Sequence, residues 1–88
     1  MTDTKKYGYH VSDIIKGEIG KSSKILEEVF ELIDAEKQNC KVMALVELSD
    51  LYGAIDSYIE VNMLDISMKD LETMSNITKR AFENGFRK

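Results

Sequence analysis

The stretch "VMALVELSDLYGAIDSYIEV", residues 42–61, decides how the rest of the chain is read. Its apolar residues recur at spacings of three and four, which predicts one helix over Val42–Val61. On a helical wheel with Glu47 at zero, Tyr58 falls at about 20°, Leu51 at about 40°, Ala54 at about -20° and Met43 at about -40°. Ala44, Ile55, Leu48, Ile59, Tyr52 and Leu45 carry the apolar arc round to about 160°. Ser49, Asp56 and Glu60 lie nearly opposite. Glu47 therefore falls inside an apolar arc roughly 200° wide, against the ~100° stripe of a surface helix. An unpaired carboxylate there costs several kcal/mol, so it must be protonated, paired with a cation or bound to metal. A buried Glu–Lys pair is the ordinary answer for one acid. Asp50, three residues on and at about -60°, is a second acid on the rim of the same face. A single lysine does not neutralise both.

The preceding helix is expected from about Glu18 to Lys37, with "KILEEVFEL", residues 24–32, at its centre. Its apolar centre lies between Ile25, Val29 and Ile33. Glu28 sits on the border of that face and Glu31 points largely away from it. Taken alone, "EEVFE" reads as a solvated face. Glu28 and Glu31 are nevertheless neighbours at i,i+3 and can converge on one point. "QNCK", residues 38–41, is polar and makes a tight connection to the second helix. Two acid pairs on antiparallel helices joined this way bring four carboxylates to one spot. Oxygen-only ligands suit a hard cation, Mg²⁺ or Mn²⁺. One histidine and one cysteine, His10 and Cys40, make no zinc pattern. No D-x-D-x-D-G loop exists for calcium, and no Glu-x-x-His pair for a di-iron site.

Outside these helices, residues 1–11 read as a polar arm, and residues 12–88 as a single helical domain. "VSDIIKGEIG", residues 11–20, reads as the start of a short helix at Ser12, loosened by Gly17 and Gly20. "NMLDI", residues 62–66, is the next break. Ser67 then caps a third helix, with Asp70 placed three residues on for a capping box. That helix carries Leu71, Met74, Ile77, Thr78, Ala81 and Phe82, and Gly85 ends it. Strands are not expected, so the fold class is all-α.

Composition narrows the function classes. A chain of 88 residues buries only about 60–65% of its surface, which invites a partner subunit. The net charge of -4 argues against long nucleic acids, which need a basic stripe. It does not argue against a small phosphorylated ligand, because metal ions reverse local charge. There is no run of eighteen apolar residues, no signal-peptide pattern and a single cysteine, Cys40. The expectation is a cytoplasmic protein that does not cross a membrane.

Glu28-x-x-Glu31, a short linker and Glu47-x-x-Asp50 together resemble the MazG-like all-α nucleotide pyrophosphohydrolases, which include the phosphoribosyl-ATP pyrophosphohydrolases. "KILEEVFELIDA" and "ELSDLYGAIDSYI" look like the two metal-bearing helices, and "MSNITKRAFENGFRK" like the tail of small members. The resemblance spans about residues 17–88. It implies a helical bundle whose fourth helix comes from the N-terminal arm or from a partner subunit. The apolar arc of the second helix, roughly 200° and too wide for two short neighbours to cover, favours the partner. The expectation is a bundle completed by oligomerisation, as a homodimer or homotetramer. The resemblance also implies that Glu28, Glu31, Glu47 and Asp50 hold Mg²⁺, with Mn²⁺ as an alternative. It implies hydrolysis of a nucleoside triphosphate at the α-phosphorus, giving a nucleoside monophosphate and pyrophosphate. Glu27 resembles an extra glutamate of that family that orients the water, and its ordinary reading is a surface charge.

Weaker signals sit elsewhere. Lys24 either pairs with Glu28 one turn on or reaches a phosphate. Asn76, Lys79 and Arg80 share the polar side of the third helix, as phosphate ligands or as cations that suit a helix C-terminus. Tyr7, Tyr9 and His10 either stack on a base or belong to a disordered tail. The methionines fill core or interface. Unlike some relatives, the chain has no tryptophan to hold a pyrimidine. Two other readings compete with the enzyme: a non-catalytic dimerisation or nucleotide-binding module with the same fold, and a plain helical bundle with surface acids. They part on where Glu47 and Asp50 point.

Overall fold

A computed structural model of the chain describes residues 4–5, 11–63 and 65–83. Three helices dominate: α1, Ser22–Lys37; α2, Lys41–Asn62; and α3, Met68–Glu83. Ahead of them, β1, Thr4–Lys5, pairs antiparallel with β2, Ile14–Ile15, in the register Thr4 opposite Ile15 and Lys5 opposite Ile14. The three helices match the expected ones apart from the start of the first, and the short β1–β2 pair corrects the expectation that no strand forms. The segment expected to begin a helix at Ser12 is extended, and α1 begins at Ser22 rather than Glu18. Most of the polar arm, with Tyr7, Tyr9 and His10, and the terminal Gly85 lie outside the described residues.

The difference has its cause in packing against α1. Buried acids of α1 take up backbone N–H groups of this segment. Val11 N–H donates to Asp34 Oδ2 (3.1 Å) and Gly17 N–H to Glu27 Oε1 (2.7 Å). Those bonds hold the two ends of residues 11–17 against α1; a helix from Ser12 would instead spend the Gly17 N–H internally. Gly20 then turns the chain with φ +86°, a left-handed conformation in which a side chain is strained. A Cβ there would also stand 2.9 Å from Val61 Cγ2. Asn62 Nδ2 donates to the Gly20 carbonyl (2.8 Å), tying this turn to the end of α2.

The α1–α2 connection is tight because α1 ends in a Schellman motif. Asn39 is left-handed at φ +53°. Asn39 N–H donates to the Glu36 carbonyl (2.9 Å) and Cys40 N–H to the Ala35 carbonyl (3.2 Å). This double closure satisfies carbonyls that the helix end leaves open. The hairpin it makes brings α1 and α2 side by side. At the start of α3, Ser67 N–H donates to Asp70 Oδ2 (2.9 Å) and Asp70 N–H to Ser67 Oγ (3.2 Å), the expected capping box. These hydrogen bonds hold the Asp70 carboxyl below its usual range.

Packing inverts the expected amphipathicity. The face α1 turns inward carries Glu27, Glu28, Glu31, Asp34 and Ala35, all buried, while Leu26, Phe30 and Ile33 are exposed. The apolar centre expected at Ile25, Val29 and Ile33 is therefore not the face that meets α2. The largest fully buried side chains of the described residues are Glu27, Glu31, Glu47 and Asp34. Among the described residues the buried apolar ones are few, two isoleucines and two alanines: Ile14, Ala35, Ala54 and Ile59. On α2, Leu45, Leu48 and Tyr52 of the wide apolar arc stay exposed. No residue of α3 is buried, and α3 makes no extensive contact with the hairpin. The radius of gyration is 15.4 Å, against about 12 Å for a compact chain of this length. Among the described residues no helix is long and apolar enough to cross a membrane.

Candidate metal centre

Glu28 and Glu31 are three residues apart on α1, Glu47 and Asp50 three apart on α2, so each pair shares a helix face. The short antiparallel hairpin turns the two faces toward each other. Each of the four residues offers a carboxylate oxygen, and these oxygens lie within 4.8 Å of one another. Glu47 is 0% exposed, Glu31 1% and Glu28 3%, while Asp50 stands at the open edge. This is the grouping expected from the two acid pairs. Glu31, expected to point largely away from the apolar centre of its helix, does so. Since the acidic face of α1 is the inner one, that orientation buries it.

The electrostatics are unbalanced. Lys24, at the cluster's edge, bonds Glu27 (Nζ to Oε1 3.1 Å and to Oε2 3.2 Å) and approaches Glu28 Oε1 at 3.4 Å. Glu28 Oε2 is buried with no hydrogen-bond donor in reach among the described residues. Burial, followed by a shared hydrogen bond and charge repulsion with Glu31, pushes the Glu28 carboxyl up to about 7; Lys24 pulls the other way. A carboxyl raised this far is short of positive charge. A divalent cation would supply it, and an all-oxygen donor set suits Mg²⁺ or Mn²⁺. The residues present thus fit a hard cation on two independent counts, the donor chemistry and the buried orphan oxygen.

The other expected site residues have mixed placements. Glu27 is buried rather than a surface charge, and lies outside the four-carboxylate group. It holds Gly17 N–H and Lys24, which fastens the extended segment to α1. Lys24 pairs with Glu27 as well as with Glu28 and lines a groove beside the cluster. Asn76, Lys79 and Arg80 share one face of α3 with Lys69 and Thr73, and are not brought to the carboxylates within the chain. Asp34 was not singled out from the sequence. It is buried, accepting Val11 N–H and Gln38 Nε2 (3.0 Å). Its signal was the spacing Glu27-Glu31-Asp34, which continues one acidic stripe along α1.

The groove beside the cluster holds about 440 Å³ and is lined by Ile19, Lys24, Glu28, Ser49, Asp50, Gly53, Ala54 and Ser57. It opens the carboxylates on the Asp50 side. Comparison with known proteins adds nothing to this geometry: no family model matches the chain, and no curated protein or solved structure matches it.

Proposed function

We propose that the protein is a Mg²⁺-dependent nucleoside triphosphate pyrophosphohydrolase of the MazG-like all-α type. One observation carries this proposal: four carboxylates from two helices, three of them buried, offer oxygens within 4.8 Å of one another. A solvated acidic face or a plain structural bundle gives no reason to bury them. When bound, the ion supplies charge neutralisation at the phosphates of the substrate. Glu28, Glu31, Glu47 and Asp50 hold it. Lys24, at the cluster's edge, orients a phosphate oxygen. A water attacks the α-phosphorus and gives up a proton to solvent. The bond from the α-phosphorus to the α,β-bridging oxygen breaks with its electrons going to that oxygen, and nucleoside monophosphate and pyrophosphate leave. Glu27 serves this site from behind, by fixing Lys24 and the segment before α1.

A second copy completes the bundle. Leu26 and Phe30 of α1, Leu45, Leu48 and Tyr52 of α2 and Met74 and Ile77 of α3 are all exposed in one chain. Exposed apolar side chains on all three helices give a second copy surface to cover. The homodimer, or a dimer of dimers, also gives α3 something to pack on. In such an assembly Asn76, Lys79 and Arg80 have a route to a phosphate that the single chain does not provide.

The assay incubates the protein with a panel of ribo- and deoxyribonucleoside triphosphates and Mg²⁺ and detects pyrophosphate. The expected result is release from at least one nucleotide, reduced at least ~100-fold by Glu47→Gln. No release from any nucleotide, or release unchanged in Glu47→Gln, overturns the proposal and favours a non-catalytic module.

A further inference from the structure

Gly53 lies in the middle of α2, where glycine is destabilising relative to alanine. Nothing among the described residues requires it: beyond its own stretch of helix, a Cβ built there meets no atom within 4 Å. The space beside it is the groove of about 440 Å³, a volume within the usual range for small-molecule sites. Glu28 and Asp50 stand in its wall, so the groove abuts the four-carboxylate group. Glu28 is 3% exposed, and its Oε2 has no hydrogen-bond donor in reach among the described residues. Lys24 adds a cation at the same end. Ser49 and Ser57 bring hydroxyls, and Ile19, 71% exposed, brings an apolar side chain.

This lining is divided in character. One end suits metal-bound phosphate. The rest offers hydroxyls, which both donate and accept hydrogen bonds, and an apolar surface for a ring. A protein face would call for a larger apolar area. The exposed Leu48 and Tyr52 of α2 lie about 140° and 100° around the helix from Gly53, away from this groove.

We infer that the groove receives the sugar and base of the substrate nucleotide, and that Gly53 is the residue that keeps it open. This rests on the metal-dependent nucleotide hydrolysis proposed above. Ser49 and Ser57 hydrogen-bond the sugar or a base edge, and Ile19 covers a ring face. A side chain larger than alanine at position 53 fills the space that the nucleoside needs and leaves the carboxylates untouched.

The test compares wild type, Gly53→Ala and Gly53→Leu in Mn²⁺. Calorimetry measures binding of α,β-methylene nucleoside triphosphates carrying each of the common bases, and of inorganic tripolyphosphate, which has no nucleoside. Electron paramagnetic resonance measures Mn²⁺ binding, and light scattering the mass. The wild type is expected to bind at least one analogue tighter than tripolyphosphate. Both variants should unfold at no lower temperature than wild type, because alanine and leucine are better helix formers than glycine. Gly53→Leu should weaken that analogue at least tenfold, with tripolyphosphate and Mn²⁺ binding within twofold of wild type. Analogue binding unchanged in Gly53→Leu overturns the groove assignment. So does an equal loss of tripolyphosphate, or a changed mass, which would make Gly53 a packing residue between copies. A wild type that binds neither Mn²⁺ nor tripolyphosphate overturns the hydrolase reading itself, and this inference with it.

Discussion

Glu28 shows most clearly, at the scale of single residues, what the site costs the fold. Its carboxyl titrates near 7 in the folded chain against an ordinary 4.5. Between those values the folded state holds more protons than the unfolded state, so stability falls as pH rises. The contribution is fully present below about pH 4.5 and lost as pH rises through about 7. Thermal unfolding of the metal-free protein across this range should show that decline, and Glu28→Gln should flatten it. Divalent metal should reverse it, since an ion binds the deprotonated form and stabilises the native state. At pH 8, added Mg²⁺ is expected to raise the unfolding temperature of wild type, and to raise that of Glu47→Gln less. Glu47 was legible in the sequence because the wheel around it was apolar on both sides. The burial of Glu27 and Asp34 was not. Each sits in an ordinary-looking acidic stripe, and only the extended segment packed against α1 reveals that its N–H groups need those acceptors.

Among the elements, the three helices were legible to within a few residues at each end, because periodicity and caps agree. Ser67 with Asp70, and the polar "QNCK" connection, are local signals that tertiary packing does not override. The segment over residues 11–17 was misjudged for the opposite reason. Its conformation is set by acids 10 and 23 residues away in the chain, Glu27 and Asp34. Gly20 gives a direct check on the turn that follows. Gly20→Ala should cost more than about 1 kcal/mol by chemical denaturation, because an L-residue is strained at positive φ. The Cβ would also crowd Val61. Asn39→Gly, at the left-handed residue of the Schellman motif, should leave stability unchanged or raised.

The whole molecule is a chain whose interior is acidic and whose exterior is apolar in patches. The sequence indicated the excess, in a helix with an apolar arc too wide for two short neighbours to cover. It did not indicate which face of α1 turns inward, since both an apolar and an acidic stripe were available. The metal binding and assembly proposed above would resolve the two halves of that inversion, one by neutralising the acids and the other by covering the exposed apolar side chains. Light scattering should give a mass at least twice that of the 10.0 kDa chain. Phe30→Glu or Leu48→Glu should shift it toward the monomer, because a charge at an interface core leaves an unpaired desolvated group.

The central claim is that Glu28, Glu31, Glu47 and Asp50 form one divalent-metal site. Its most direct test is a Mn²⁺ titration followed by electron paramagnetic resonance, on wild type and on Glu31→Gln and Glu47→Gln. Saturable binding by wild type, competed by Mg²⁺ and weakened at least tenfold in each variant, is the predicted result. No saturable binding, or binding that both variants retain unchanged, would contradict the claim.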